Sequence, residues 1–160
     1  MQRYCFQRTG IPVKTLYLDT NYLFRMYWED PGFDEVRQIT RDCDCLVSAW
    51  HAEAEFESIL LRKRREGVMN REISEAIAEQ FAGDKHDGGL RLLSLDENVM
   101  ACLRDVMRNA PPETFLRAAD ALHLACANVN GFKEVYSNDT HFLNSADLFN
   151  MTGVNVIPRR

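Results

Sequence analysis

Five short apolar runs, separated by stretches of helical periodicity, constrain this chain more than any other feature. The runs are Leu16 to Asp19, Cys45 to Ser48, Leu92 to Leu95, Glu134 to Ser137 and Val154 to Ile157, each bounded by polar residues or glycine. Between them, apolar residues recur at amphipathic spacing. This predicts helices from Asn21 to Trp28, Asp34 to Arg41, Ala49 to Arg65, Arg71 to Phe81, Glu97 to Arg108 and Leu116 to Asn128. Strands alternating with helices are joined by crossovers, and crossovers build a parallel sheet clothed in helices. The predicted fold class is therefore α/β: one domain with a central, mostly parallel sheet of about five strands and helices on both faces.

A chain of 160 residues with 46% hydrophobic content can bury one proper core. No linker, internal repeat or low-complexity tract divides it. Gly83-Asp84-Lys85-His86-Asp87-Gly88-Gly89 reads as a flexible loop, and Pro31-Gly32 and Pro111-Pro112 read as turns. A formal net charge of −5 excludes a chain that coats nucleic acid or an anionic membrane by bulk electrostatics, so any nucleic acid must be bound locally. The segment Met1 to Lys14 carries Arg3, Arg8 and Lys14 but no continuous apolar stretch, and reads as an N-terminal extension (1–14) rather than a signal peptide. Nowhere do about 18 apolar residues run together. The expectation is a soluble, cytoplasmic protein with no membrane partner. Five cysteines without framework spacing predict free thiols, with Cys43-Asp44-Cys45 marking the start of a strand and not a zinc site.

Four carboxylates stand at telling positions on this frame. Asp19 closes the first run, Asp139 follows the fourth, Asp120 lies near the start of a small, apolar helix, and Glu55 sits within a long helix. In open α/β sheets the ligand crevice lies beyond the carboxyl ends of the strands, where Asp19 and Asp139 are placed. Acids gathered among apolar neighbours are costly unless their charge is offset, and a hard divalent cation is the usual offset. Each acid also has a plainer use: Asp19 and Asp139 as helix N-caps, Asp120 as a buried helix-start charge, Glu55 on a solvated face. Asp96 reads as a cap only. Glu53, Glu55 and Glu57 share one helix, and periodicity does not choose among them.

The segments Leu16-Tyr17-Leu18-Asp19-Thr20-Asn21, Glu55-Phe56-Glu57-Ser58 with the basic helix end and Gly67, Ala119-Asp120-Ala121-Leu122-His123, and Ser137-Asn138-Asp139 occur in this order along the chain. In this order and at these separations they resemble the PIN-domain ribonucleases, in particular the VapC-like toxins of toxin–antitoxin pairs. The resemblance implies a single PIN-like domain that cuts RNA by metal-assisted hydrolysis, leaving 5′-phosphate and 3′-hydroxyl ends. It implies Asp19, Glu55, Asp120 and Asp139 as catalytic, metal-binding carboxylates for Mg²⁺ or Mn²⁺, with Asn21 and Ser137 as polar helpers. It favours Glu55 as the second acid, with Glu53 in reserve, although Trp50-His51 stands where the family has small or aliphatic residues. It further implies a homodimer and a small antitoxin partner. The alternatives within the same resemblance are an RNA-processing nuclease without an antitoxin and a non-catalytic domain that binds RNA or protein.

Three further features have ordinary readings. His123 and His141 on apolar helices predict packed residues instead of general bases. Arg62-Lys63-Arg64-Arg65 predicts a solvated helix end whose cations complement the dipole, with RNA phosphate contact as the other use. Tyr22, Phe24, Tyr27 and Trp28 fit either the core or a partner groove.

Overall fold

The structure, a computed structural model, describes residues 14–158. Of the predicted N-terminal extension, only Lys14 falls among the described residues; its N–H donates to the Asp44 carboxylate at 2.8 Å. The strands are β1 (Thr15–Tyr17), β2 (Cys45–Ala49), β3 (Leu90–Leu93), β4 (Glu134–Tyr136) and β5 (Thr152–Val154). The helices are α1 (Thr20–Phe24), α2 (Phe33–Thr40), α3 (Ala52–Arg65), α4 (Arg71–Asp87), α5 (Glu97–Asn109), α6 (Ala118–Val129) and α7 (Thr140–Ser145), with a 3₁₀ turn over Ala146–Phe149.

Every strand pairing is parallel. The ladder forms two pieces, β1-β2-β3 and β4-β5, joined by a parallel bridge between Leu18 and Tyr136. The spatial order is thus β3-β2-β1-β4-β5, and the chain reverses its direction of travel across the sheet between β1 and β4. That reversal opens a crevice at the carboxyl ends of these two strands.

Because side chains alternate along a strand, the sheet feeds two cores. Tyr17, Cys45, Val47, Ala49 and Leu93 pack on one face with Val99, Leu124, Ala125, Phe142 and Phe149 from the C-terminal helices. Leu16, Leu18, Leu46, Leu90 and Leu92 pack on the other face with Leu23, Phe24, Phe56, Leu60, Ile77 and Phe81. Helices therefore cover both faces, as the pattern predicted. Tyr22 and Phe24 are fully buried, and Phe24 and Tyr27 pack edgewise on Phe56, which stacks on Phe81 at 4.2 Å. These aromatics serve the core.

Several predicted bounds move. The Gly83 to Gly89 segment is mostly the last turns of α4, which continues to Asp87 and stops where Gly88 takes φ +86°. A glycine inside a helix costs only about 1 kcal/mol, and here side chains anchor the end. Asp84 accepts from the Tyr27 hydroxyl at 2.8 Å, and Lys85 reaches Glu53 while lying over the Phe81 ring. The start of α3 is Ala52 and not Ala49, because Ser48 and Ala49 remain in the β2 ladder opposite Leu92 and Leu93. β3 begins at Leu90 because pairing with Leu46 starts directly after the glycine turn, and β5 lies earlier than predicted, over Thr152–Val154. A helix after Asp139 was expected from its N-cap reading without bounds and is α7, whereas the 3₁₀ turn was not anticipated. Asp96 accepts from the Val99 N–H and caps α5 as expected.

β5 packs closely on α7 at Gly153, where an added Cβ would lie 2.9 Å from the Leu143 Cα and carbonyl oxygen. Backbone atoms cannot yield as a side-chain end can. Gly153→Ala is expected to destabilise the fold by roughly 1–3 kcal/mol, read as a lower denaturant midpoint at unchanged slope.

Candidate active site

Asp19 follows β1 and is held on all sides. Its N–H donates to the Tyr136 carbonyl at 3.0 Å, which ties it to β4 across the reversal point. One carboxylate oxygen accepts from the Tyr22 N–H at 2.7 Å and caps α1; the other accepts from the Ser137 hydroxyl at 2.5 Å. The residue is only 5% exposed. Burial pushes its carboxyl up to about 6, against the lowering effect of these hydrogen bonds. A free carboxylate here is a costly anion waiting for a counter-charge.

Ser137 follows β4 directly and couples the two strand-end acids. Its hydroxyl oxygen accepts from the Asp139 N–H at 2.9 Å while its proton goes to Asp19. Asp139 caps α7 through the His141 and Phe142 N–H groups, at 2.8 and 3.3 Å. The N-cap reading of Asp19 and Asp139 is thus correct, and it leaves one oxygen of Asp139 facing the crevice. There it accepts from the Arg117 guanidinium at 2.5 Å; Asp120 accepts from the same guanidinium at 2.7 Å. Burial would raise the Asp139 carboxyl, but Arg117 and the two amides hold it below the usual range. The i,i+3 spacing of Arg117 and Asp120 on entering α6 makes the second of these contacts.

Glu55 and Glu53 part company on α3. Glu53 pairs with Lys85 at 2.5 Å on the α4 side and is not among the cleft-lining residues. Glu55 turns inward, where it accepts from Thr20 and meets His123 Nε2 at 2.9 Å. Burial opposes its ionisation, yet His123, Thr20 and His51 together bring it down to about 2. His51, whose ring lies 4.1 Å from that of His123, is pushed down to about 4 by burial and by its neighbour.

Asp19, Thr20, Asn21, Glu55, Arg117, Asp120, His123 and Asp139 all line one open cleft of about 470 Å³. Ser137 lies just behind it, through Asp19. The volume exceeds what a lone ion needs and is of the size that admits part of a polymeric substrate. One guanidinium faces four carboxylates across this space. The uncompensated anionic charge, together with oxygen donors from separate elements, fits a hard divalent cation. His123 is 3% exposed, packed as predicted yet bonded into the site, whereas His141 is exposed and lies tilted against Phe115, ring centroids 4.3 Å apart. Packing was the wrong expectation for His141 because it follows the Asp139 cap on the outer side of a short helix. Thr20, His51 and Arg117 were not singled out from the sequence as site residues.

The PIN domain family profile matches residues 16–148, from β1 to the 3₁₀ turn. The chain belongs to the PIN domain family. Solved structures share the PIN fold at low identity. VapBC2 from Rickettsia felis, bound to a DNA fragment from its promoter, aligns with a TM-score of 0.65 and 10% identity over 88% of this chain and 98% of that one. Mycobacterium tuberculosis VapC20, a sarcin-ricin loop cleaving toxin, aligns at 0.63 and 14% over 81% and 94%. FitAcB from Neisseria gonorrhoeae aligns at 0.59 and 22% over 88% and 96%. No curated protein sequence matches the chain. Among the described residues of this PIN domain, no helix is long and apolar enough to cross a membrane.

Proposed function

We propose that this PIN domain is a Mg²⁺- or Mn²⁺-dependent endoribonuclease, the toxin of a toxin–antitoxin pair. The observation that carries the reading is that Asp19, Glu55, Asp120 and Asp139, drawn from four segments of the chain, line a single cleft at the sheet's reversal point. Asp19, Asp120 and Asp139 would hold the cation, with Glu55 facing them from α3. A bound divalent ion supplies charge neutralisation at the scissile phosphate and lowers the pKa of water.

The chain's own residues divide the remaining work. Ser137 fixes the rotamer of Asp19 and, through the same oxygen, the backbone of Asp139, so the two strand-end acids keep one geometry. Arg117 holds the cleft's charge in check before substrate arrives. With a divalent ion bound, the Arg117 guanidinium would be free to pair with an RNA phosphate. Glu55, kept ionised by His123 and Thr20, stands as proton acceptor for the attacking water. Asn21 lines the same wall and offers an amide to the ribose or phosphate.

The toxin reading rests on the fold shared with VapBC2, VapC20 and FitAcB and on exposed aliphatic residues on and between α3 and α4. Leu61, Val68 and Ile73 are exposed there, a surface suited to an antitoxin segment. Homodimerisation and action in the cytoplasm belong to the same proposal. Expression in cells without a partner should arrest growth, and co-expression of a short antitoxin encoded beside the gene should relieve it. Harmless expression of an active nuclease would favour an RNA-processing enzyme instead.

The choice between the two α3 acids has its own test. Glu55→Gln should cut RNA at least about tenfold more slowly, while Glu53→Gln should retain activity and lose only its pairing with Lys85. Parallel cleavage assays on the two variants check this.

A further inference from the structure

At the inner end of the cleft, one carboxylate oxygen is faced by two imidazoles. Glu55 Oε2 lies 2.9 Å from His123 Nε2 and 3.9 Å from His51 Nε2, and the three residues each offer a ligand atom within 4.8 Å of the others. Donors bound to one tetrahedral ion at 2.0–2.2 Å stand roughly 3.3–3.6 Å apart, so the observed separations bracket a coordination sphere. The sequence builds this corner simply. His51 and Glu55 are four residues apart at the start of α3, and His123 follows Asp120 by three on α6. One face of each helix thus looks into the same space.

We propose that His51, Glu55 and His123 form a second cation position, distinct in chemistry from the carboxylate cleft, that takes a borderline transition ion such as Zn²⁺ or Co²⁺ in preference to Mg²⁺. Imidazole nitrogens suit zinc-like ions, whereas magnesium keeps to oxygen donors and water. Two features of the surroundings support it. Tyr17 places its hydroxyl 3.1 Å from His123 Nδ1, where it can accept the ring N–H once a cation takes the place of the Nε2 proton that faces Glu55. His51 Nε2 now meets the Ala119 carbonyl oxygen at 3.2 Å, a bond that a cation would replace, while its Nδ1 is buried with no hydrogen-bond partner among the described residues and can carry the ring proton instead. Thr20 Oγ, 3.2 Å from His123 Nε2, stands beside the position as a further oxygen donor.

The proposal takes Glu55 as a cleft residue from the nuclease reading but does not depend on RNA being cut. The test is a Co²⁺ titration of the tag-free full chain, freed of metal by chelator, followed by visible absorption. The expected result is an intense band typical of low-coordinate cobalt with nitrogen ligands, displaced by Zn²⁺ but not by a large excess of Mg²⁺. His51→Gln should weaken Co²⁺ binding about tenfold or more and shift the band, whereas Asp120→Asn should leave the band in place. His123→Gln should act as His51→Gln does; since His123 is buried, the more exposed His51 variant carries the test if His123→Gln does not fold. A faint spectrum of the all-oxygen type, or a band unchanged in folded His51→Gln, would overturn the site. Loss of RNA cleavage in any variant bears on the nuclease reading alone.

Discussion

Asp120→Asn is expected to reduce RNA cleavage by at least about a hundredfold while leaving the fold intact. Residues that merely orient a metal ligand already contribute up to about a hundredfold, and a ligand itself should count for more. The side chain is mostly buried at the cleft wall and contacts the rest of the site through Arg117. Asparagine keeps the size and one acceptor oxygen, so packing of α6 is undisturbed. What is lost is one negative charge facing the cation, and with it the balance against Arg117. Circular dichroism and a denaturant midpoint close to the parent's would show that the loss is chemical. Full activity in the variant would remove Asp120 from the site.

Asp19→Asn should have two opposite effects, and their opposition is diagnostic. The folded carboxyl titrates at about 6, well above its ordinary value of 3.8, so the folded chain holds this proton more firmly than the unfolded chain does. Raising the pH from about 4 to above 6 therefore removes stability from the metal-free protein, by up to about 3 kcal/mol from this group. Asparagine cannot ionise and caps a helix as well as aspartate. In chelator at about pH 7.5, the variant should be the more stable protein, and at about pH 4 the difference should fade. Adding Mn²⁺ should reverse the order, because an ion bound only by the folded parent stabilises it by mass action while the variant gains little. Urea midpoints at the two pH values, with and without metal, measure all of this. A variant less stable than the parent in chelator at neutral pH would contradict the account of Asp19 as a destabilising anion awaiting a cation.

The parts legible in the sequence were those set by local pattern. Apolar runs gave the strands to within a few residues, and Asp19 and Asp139 could be placed at strand ends because a polar residue closing a buried run must lie at the rim. Their capping role and their place in the cleft are compatible, since a cap uses only one carboxylate oxygen. Tertiary contacts governed the parts that were hidden. Lys85 draws Glu53 toward α4, and this decides what helix periodicity could not, leaving Glu55 to face the cleft. The Gly83 segment is helical because Tyr27 and Glu53 hold Asp84 and Lys85, partners far away in the chain. Arg117 was visible only as a neighbour of Asp120; that it also reaches Asp139 depends on the starts of α6 and α7 lining the same cleft. The juxtaposition of His51 and His123 depends likewise on α3 and α6 converging, and the His51 position was noticed only as an unusual residue.

The most direct test of the nuclease account is incubation of the purified full chain with total cellular RNA in Mn²⁺, in Mg²⁺ and in chelator, with new 5′ ends read by sequencing. The account predicts discrete cuts bearing 5′-phosphates, present with either ion and absent in chelator. Cuts that persist in chelator, or none from folded protein with the metal shown to be bound, would contradict it.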